Sequence, residues 1–552
     1  MKKLTTILAG LFICTVSFAQ RHNADWLKSS VFYQIYPSSY MDSNGDGNGD
    51  IKGVESKLDY IKSIGVNAIW FNPVFKSAFQ DGGYDVIDFY QVDPRFGTNT
   101  DLIEFVKAAH KSGMHVVMDL VAGHSSDKSA WFIQSKEKDP NLQYSDYYIW
   151  ASEKPADLTQ AEAARWVETD APRGKYYIKN YYDIQPALNY GYANPNPNRP
   201  WEQPVDAPGP QAVRQELKDI ISFWMDKGID GFRVDLAASL VKNDADKSAT
   251  IKLWQEMTAW FGNKYPEGVL IAEWFNPKLS IKAGFNIDFF RGGSLVSRGR
   301  GGDPNKSIYF DKEGLGTVND WFETFLDQYS STVKDGYMSS PTGNHDGNRL
   351  ANVKRGDAEQ LKVGMTFFLT LPGIPFIYYG DEIGMKFIEG MPDVEGSRNR
   401  SGARTPMQWD GGTNAGFSSA PSDKIYLPLD PDPGRPTVAA QDKDPNSLLN
   451  YVRELLNLRA TSVAMGNTGD WKLVSDPEKP YPLVYMRWKN NDRYIIAINP
   501  SDRKVEAVFS STGAAKAVLT AGNNPKSSYK PGKKGTDTIL MPPVSAAVFK
   551  LE

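Results

Sequence analysis

The stretch GIDGFRVDL, residues 228–236, decides how the rest of this sequence is interpreted. It predicts a short buried strand over Gly231–Val234 that follows an amphipathic helix. Because successive side chains of a strand point to opposite faces, Arg233 and Asp235 project to the same side. The nearby guanidinium favours the charged carboxylate, so we expect Asp235 to be ionised at neutral pH and able to act as a nucleophile. Taken alone, the motif favours a structural Arg–Asp pair, and only the rest of the chain changes that balance.

Strand and helix patterns alternate along most of the chain. The expected strands are Val31–Pro37, Asn67–Pro73, His115–Leu120, Gly231–Val234, Val269–Glu273, Phe285–Phe289, Tyr337–Gly343 and Ile374–Tyr379. The expected helices include Val54–Ile64, Thr98–Ser112, Gln211–Lys227, Ile251–Phe261, Asp320–Val333, Glu359–Leu369 and Ser447–Arg459. Eight strand–helix units predict an α/β fold in which a parallel sheet closes into a (β/α)8 TIM barrel.

Two regions depart from this alternation. Residues 125–210 are polar, aromatic and rich in Pro and Asn, and they predict a small excursion domain after the third strand. From about Gly466 the pattern changes to short alternating strands, which predict an antiparallel β-domain. We therefore assign residues 20–124 and 211–465 to the barrel, 125–210 to the excursion domain, called domain B, and 466–552 to the C-terminal β-domain.

The composition of the chain and its N-terminal segment indicate which partners and which cellular location to expect. A net charge of -4 without a basic stretch argues against nucleic acid. Residues 1–19 combine Lys2 and Lys3 with a mostly apolar run, which predicts a secretory signal peptide and hence export to the periplasm or the medium. Cys14 lies in that segment, so the mature chain is expected to have no disulfide. No later apolar run is long enough to span a membrane. The sequence leaves the oligomeric state open.

An acidic loop, DSNGDGNGD at residues 42–50, carries an oxygen-bearing side chain at every second position. The five residues are Asp42, Asn44, Asp46, Asn48 and Asp50. Such a loop, with glycines between several of its oxygen donors, is typical of sites that wrap a hard cation, so we expect bound Ca²⁺. The loop lacks the Glu that ends an EF-hand. A solvated Asn/Gly turn is the alternative.

Polar residues collect where the predicted strands end, which is where a barrel of this kind has its active site. The strand ends are followed by Asp81, Tyr84 and Asp85, by Asp119 and His124, by Arg233 and Asp235, by Glu273, and by Asn344, His345 and Asp346. Each residue alone has an ordinary structural explanation, such as a capping Asp or a core His. Together, three carboxylates, two imidazoles and one guanidinium indicate an active site.

Several of these segments together resemble the α-amylase family of glycoside hydrolases, in particular its α-glucosidase and oligo-1,6-glucosidase-like branch. The motifs are DLVAGH (119–124), GFRVD (231–235), IAEW (271–274), NHD (344–346), GYD (83–85), QPALN (185–189) and RTPMQW (404–409). They occur in the family's order, and the resemblance covers residues 30–552. It implies the TIM barrel, with residues 125–210 as the family's domain B.

The resemblance implies a retaining mechanism with Asp235 as nucleophile, Glu273 as general acid/base and Asp346 as stabiliser of the transition state. The local chemistry agrees, because the apolar neighbours of Glu273 in IAEW would raise its pKa and keep its proton. By the same resemblance, His124 and His345 would bond sugar hydroxyls. The acidic loop corresponds to the calcium loop of that branch.

The resemblance also implies a set of substrate-binding residues. They are Asp81, Tyr84, Asp85, His124, Arg233, His345 and Arg404. Tyr84 is expected to stack on the sugar ring, and Asp81 to pair with Arg404 and hold a terminal glucose, as exo-acting α-glucosidases do. The sequence departs from the branch at Gly123, Ala187 and Leu236, which leaves the linkage and the choice between exo and endo action open.

The leading hypothesis is a secreted retaining hydrolase of α-glucan or malto-oligosaccharide substrates, of α-glucosidase or α-amylase type. A transglycosylase or isomerase of the same fold, such as a trehalose synthase, is the alternative, although the predicted export argues against it. A non-catalytic sugar-binding relative is disfavoured, because all three carboxylates are present and the sequence contains no membrane anchor.

Overall fold

The computed structural model describes residues 23–290, 309–313 and 318–552, apart from 348, 353, 477, 480, 511, 523–526 and 533–534. The predicted signal peptide, with Cys14, lies outside the described residues. Eight parallel strands form the central sheet: β1 (Phe32–Ile35), β2 (Ala68–Phe71), β3 (His115–Leu120), β4 (Gly231–Val234), β5 (Val269–Ala272), β6 (Ile287–Phe289), β7 (Tyr337–Ser339) and β8 (Phe376–Tyr378). Each lies within a predicted strand, and the predicted (β/α)8 barrel is confirmed.

Hydrogen bonds close this sheet into a barrel. The strands neighbour one another in chain order from β7 down to β1, and β8 pairs with β1. Across the remaining seam, the Ile374 N–H donates to the Met338 carbonyl and the Thr342 N–H donates to the Phe376 carbonyl, each over 3.0 Å. The C-terminal ends of all eight strands therefore surround one mouth.

Because side chains alternate between the two faces of each strand, the buried apolar residues form two separate layers. Phe32, Trp70, Val117, Ile271 and Phe376 pack together in one buried cluster, and the Phe32 and Phe376 rings stack with centroids 4.4 Å apart. Residues next to them in sequence belong to the larger cluster that contains the helices. This separation is expected for strands buried on both faces.

Helices follow the strands around the barrel. Their bounds are Ile51–Glu55, Leu58–Ile64, Asn99–Lys111, Pro208–Met225, Ser248–Lys264, Pro277–Lys282, Asn319–Thr332, Ala358–Thr370, Val438–Lys443 and Leu448–Thr461. Thr98 caps the third of these with a capping box. The predicted helix Val54–Ile64 is two helices, because Asp50 caps an earlier start and Ser56 bonds the Gly53 carbonyl at the break.

The two predicted additions each contain antiparallel strands. Residues 125–210 contain the short helices Ala130–Ser135 and Gln160–Ala163 and the strands Trp150–Ala151, Trp166–Glu168 and Tyr176–Ile178. A hairpin, Phe75–Ser77 with Val86–Val92, lies beside the mouth. The C-terminal part has a five-stranded sheet of Asp470–Leu473, Leu483–Lys489, Asp492–Asn499, Ala515–Gly522 and Ser545–Leu551, and a three-stranded sheet of Val505–Ser510, Ser528–Pro531 and Thr536–Met541. Within the described ranges, none of the helices has the length and apolar character needed to cross a bilayer.

Candidate active site

A cavity of about 470 Å³ opens at the C-terminal ends of the barrel strands. Its walls include Gln34, Trp70, Asp81, Tyr84, His124, Tyr181, Gln185, Arg233, Asp235, Leu236, Glu273, Phe275, His345, Asp346 and Arg400. All three predicted catalytic carboxylates face this one space, although they come from different strands. The predicted substrate-binding residues Asp85 and Arg404 are not part of its wall.

Arg233 is the centre of the carboxylate cluster. Its Nη1 lies 2.7 Å from Asp119 Oδ1 and 2.9 Å from Asp235 Oδ1, and its Nη2 lies 2.9 Å from Glu273 Oε1. Strand register explains the arrangement. Val234 on β4 pairs with Ala272 on β5, so the next residues, Asp235 and Glu273, stand side by side at the mouth.

Burial raises the pKa of each carboxyl group around Arg233. The pKa of Asp235 rises to about 7 and that of Glu273 to about 8, because burial outweighs the opposing effect of the guanidinium. The structure therefore corrects the expectation that Arg233 alone keeps Asp235 fully ionised at neutral pH, since that cation is shared with Asp119 and Glu273. The order of the two groups agrees with the prediction, and Glu273 keeps its proton to the higher pH.

His345 and Tyr84 form one wall of the cavity in a fixed network. The amides of Gln34 and Asn72 donate to His345 Nδ1 over 2.9 and 3.1 Å, which assigns the ring proton to Nε2. Nε2 lies 2.7 Å from the Tyr84 hydroxyl, and burial holds the pKa of His345 well below its usual range. The two rings stack with centroids 5.4 Å apart. His345 is therefore a neutral, oriented donor.

His124 is also neutral and fully bonded to protein groups. Its Nε2 donates to the Tyr84 carbonyl over 3.0 Å, and its Nδ1 accepts from the Asn180 amide over 3.1 Å. Burial lowers its pKa to about 4. A Cβ at Gly123 would lie 2.5 Å from Asn180 Nδ2, so the glycine at this position makes room for Asn180. The role of His124 as a sugar ligand stays a prediction, because both ring nitrogens have protein partners.

The carboxylate of Asp346 lies close to two arginines. The sequence analysis predicted Arg404 as the partner of Asp81, and the structure shows another arginine there. Asp346 Oδ1 lies 2.9 Å from Arg400 Nη1 and 3.2 Å from Arg404 Nη2. These two cations hold its pKa well below the usual range, against the effect of burial. Arg400, and not Arg404, forms the ion pair with Asp81. The predicted Asp81–Arg404 pair is wrong, because the Arg404 side chain turns behind the wall.

Asp85 supports the loop beneath Asp81. Its carboxylate accepts the backbone N–H groups of Gln80 and Asp81 over 3.0–3.1 Å and the Ser77 hydroxyl over 3.0 Å. Asp85 is fully buried, which raises its pKa to about 6. Its predicted role in binding substrate is replaced by one in shaping the loop that carries Asp81.

Several residues of the cavity wall were not predicted from the sequence. Arg400 lies four residues before Arg404, and nothing in the local pattern says which arginine turns inwards. Gln185 belongs to the motif QPALN, but the sequence predicts no role for it. In the structure its amide donates to Asp81 Oδ2 over 2.8 Å. Tyr181, 46% exposed, stands at the mouth. The position of this aromatic residue in the predicted excursion domain could have indicated that Tyr181 contributes to the site.

The acidic loop lies away from the cavity and is held by its own backbone. Asp42 accepts the N–H groups of Gly45 and Gly47 over 2.7 and 2.8 Å, and Asp50 accepts those of Ser43 and Gly53 over 2.8 and 2.7 Å. Among the residues that the structure describes, no three or more His, Cys, Asp or Glu side chains are grouped so as to hold a metal ion.

Comparisons with known proteins agree with this arrangement. Residues 34–467 match the model of the alpha amylase catalytic domain. The chain is 30% identical to an alpha-glucosidase of Culex pipiens, covering 90% of this chain and 84% of that protein. It is 32% identical to the trehalose synthase/amylase TreS of Mycolicibacterium smegmatis, covering 84% and 81%. The crystal structure of the trehalulose synthase MutB from Pseudomonas mesoacidophila superposes with a TM-score of 0.79 at 27% identity, covering 96% of this chain and 100% of that one.

The substitution Asp235→Asn should abolish turnover without destabilising the fold. Loss of the nucleophile costs several orders of magnitude in kcat. In the folded protein the pKa of Asp235 is about 7, above the ~3.9 of an unfolded Asp, so wild-type stability falls as pH rises between these values. The Asn variant lacks this loss, and its Tm should equal or exceed that of wild type at pH 8. Retention of more than about a tenth of the activity, or a Tm well below wild type at pH 8, would contradict the assignment.

Proposed function

This chain belongs to the alpha-amylase family of glycoside hydrolases, and we propose that it hydrolyses α-glucosidic bonds of malto-oligosaccharides with retention at the anomeric carbon. The observation that carries the proposal is the single Arg233 guanidinium that lies 2.9 Å from both Asp235 and Glu273. A retaining glycosidase needs two adjacent carboxyl groups of which one is ionised and one protonated. The different pKa values of these two groups support that division.

In the first step, an Asp235 carboxylate oxygen attacks the anomeric carbon as the bond to the leaving sugar oxygen breaks. Glu273 gives its proton to that oxygen, so a covalent glycosyl-enzyme and a free sugar result. In the second step, Glu273 takes a proton from water as the water oxygen bonds to the anomeric carbon. The bond to Asp235 breaks, Glu273 is protonated again, and two displacements restore the original configuration.

The remaining charges of the cavity favour the developing positive charge on the sugar. Asp346 is kept ionised by Arg400 and Arg404, and an anion beside the ring stabilises an oxocarbenium-like transition state. His345 is neutral, so it adds no opposing charge. Its Nε2–H donates to the Tyr84 hydroxyl over 2.7 Å, which fixes the Tyr84 ring in the cavity wall.

The Asp81–Arg400 pair supports exo action. Both side chains are buried in the cavity wall, each about 6% exposed, and Gln185 fixes the second Asp81 oxygen. A charged pair in this position offers both donors and acceptors to the hydroxyls of one terminal glucose. It also occupies the space into which a chain would extend beyond that glucose.

Replacement of Arg400 by Ala should lower kcat/KM on maltose and on an aryl α-glucoside by about 100-fold or more, because charge-assisted bonds that tighten in the transition state are lost. The wild-type enzyme should release glucose as the first product from maltoheptaose. Arg453→Ala is the matched control, because Arg453 pairs with Asp442 outside the cavity wall, and it should leave kcat/KM nearly unchanged. An early mixture of internal fragments would instead assign α-amylase-type endo action.

Isomerisation is the second candidate function, and the relative named trehalose synthase/amylase and the solved trehalulose synthase favour it. The first chemical step would be the same, and a sugar would replace water as the attacking group in the second. The two candidates separate in one experiment. With maltose as substrate, hydrolysis gives only glucose, whereas isomerisation gives a non-reducing or re-linked disaccharide that is visible by NMR.

We also propose that the acidic loop at residues 42–50 binds Ca²⁺. All five donors are oxygens, which are the ligands that this cation prefers. Besides the backbone groups, the Ser418 hydroxyl donates to Asp42 and the Ser43 hydroxyl donates to Asp50, so a bound cation would replace some of the hydrogen bonds that these two carboxylates accept. Asn44 and Asn48 add amide oxygens, and Asp46 is solvent-exposed. The loop lies outside the cavity wall, so the cation would stabilise the fold and take no part in the chemistry.

Chelation should therefore lower the Tm, because a ligand that binds only the folded state stabilises it by mass action. Asp46→Ala should abolish this response. The control is Asp139→Ala, which removes a comparable exposed Asp whose carboxylate bonds the N–H two residues on. The proposal fails if chelation leaves the wild-type Tm unchanged and elemental analysis finds no bound metal.

Export is a further part of the proposal, supported by the two lysines and the apolar run within residues 1–19. Fractionation of the source cells should place the protein in the periplasm or the medium. N-terminal sequencing of that protein should begin near Gln20. A cytoplasmic protein that retains Met1 would refute this part and leave the enzymatic proposal intact.

A further inference from the structure

Arg404 lies behind the cavity wall, where it contacts catalytic groups and not the cavity itself. It is fully buried. Its Nε donates to the His345 carbonyl over 2.8 Å, and its Nη2 lies 3.2 Å from Asp346 Oδ1. One rigid guanidinium therefore bonds the backbone of one active-site residue and the carboxylate of the next.

The two arginines at Asp346 have different positions. Arg400 reaches Asp346 from within the wall of the cavity and also binds Asp81, so it meets the substrate side. Arg404 approaches the same oxygen from the protein side and forms no ion pair with Asp81. Removal of Arg404 should therefore affect the position of Asp346 without removing a bond to the sugar.

The surroundings of Arg404 permit little movement. The Ser39 hydroxyl donates to the Arg404 carbonyl over 2.5 Å, and the guanidinium lies 5.0 Å above the Tyr36 ring. A Cβ at Gly82, which has φ +56°, would come within 2.7 Å of Arg404 Nη1. The glycine that directly follows Asp81 thus makes room for this arginine.

A hydrogen-bonded layer supports these contacts from outside. The Tyr36 hydroxyl, 3.4 Å from Arg404 Nη1, is 3.1 Å from the Tyr426 hydroxyl, which donates to Glu395 over 3.1 Å. The Tyr426 N–H donates to the Gly47 carbonyl over 2.8 Å. The turn around Ser39 and the acidic loop are therefore part of the framework that fixes Arg404.

We propose that Arg404 is a positioning residue for Asp346, which it holds, together with the His345 backbone, in the orientation required at the anomeric carbon. This inference rests on the proposed function, in which Asp346 stabilises the transition state. The required feature is the two-acceptor geometry of a guanidinium. A lysine would keep the charge but not both bonds.

Kinetics of two substitutions separate geometry from charge. Arg404→Met and Arg404→Lys should both lower kcat by about 10- to 100-fold, because small displacements of a catalytic group cost rate. KM should change little, since no bond to the sugar is lost. Recovery of kcat by lysine would show that only charge matters. A rise in KM with unchanged kcat would show that Arg404 is a sugar ligand, and either result overturns the proposal.

A double-mutant cycle with Asp346→Asn tests the connection directly. With α-glucosyl fluoride, whose good leaving group keeps slow variants measurable, Arg404→Met should have nearly no further effect in the Asp346→Asn background. Arg487→Met is the matched control, because Arg487 is equally buried but bonds carbonyls such as that of Thr370. Arg487→Met should change the rate by the same factor in the wild-type and in the Asp346→Asn background. An Arg404 effect that is undiminished in Asp346→Asn would refute the proposal.

Two further measurements keep the outcome interpretable. Should Arg404→Met fail to fold, Ser39→Ala removes the bond to the Arg404 carbonyl, and it should lower kcat by a smaller factor that also disappears in the Asp346→Asn background. An undiminished effect there would overturn the proposal. The single variant Asp346→Asn tests the proposed function itself. High activity of that variant refutes the role of Asp346, whereas an inactive variant with additive Arg404 effects refutes only the positioning role.

Discussion

The active site depends on one buried cation shared by three carboxylates. Arg233 is almost fully buried and lies 2.7–2.9 Å from Asp119, Asp235 and Glu273. Three carboxylates this close together and this deeply buried would repel one another and lose hydration, a cost that only a paired cation offsets. The charge is insufficient for all three, so burial raises their pKa values and the cluster retains protons near neutral pH. That retained proton is what an acid catalyst requires.

The strands and the residues at their ends were predictable from sequence, because both follow from backbone periodicity. Once Gly231–Val234 is recognised as a parallel strand, the position of Asp235 at the barrel mouth follows. The same reasoning placed Glu273 and Asp346 correctly in the cavity wall. The break between the helices Ile51–Glu55 and Leu58–Ile64 was missed, because it depends on caps and not on the apolar pattern.

Side-chain direction in irregular segments was not predictable. Arg400 lies in the 3₁₀ segment Arg398–Ala403, which is kinked at Asn399, and Arg404 follows directly after it. No period relates the two side chains, so the sequence could not tell which one meets Asp81. Asp85 shows the same limit, since it shares a loop with Asp81 but bonds the backbone. The size of the pKa shifts of the carboxyl groups could not be predicted from the sequence either, because it depends on burial and on how many groups share Arg233.

We propose that this shared cation supports a nucleophilic Asp235 in a double displacement. Mass spectrometry of the enzyme incubated with 5-fluoro-α-glucosyl fluoride tests it most directly, because the fluorine slows hydrolysis of the covalent intermediate. Peptide mapping should find one fluoroglucosyl group on the peptide that contains Asp235, and none on the Asp235→Asn variant. An adduct on another residue, or turnover with inversion at the anomeric carbon and no adduct, would contradict the account.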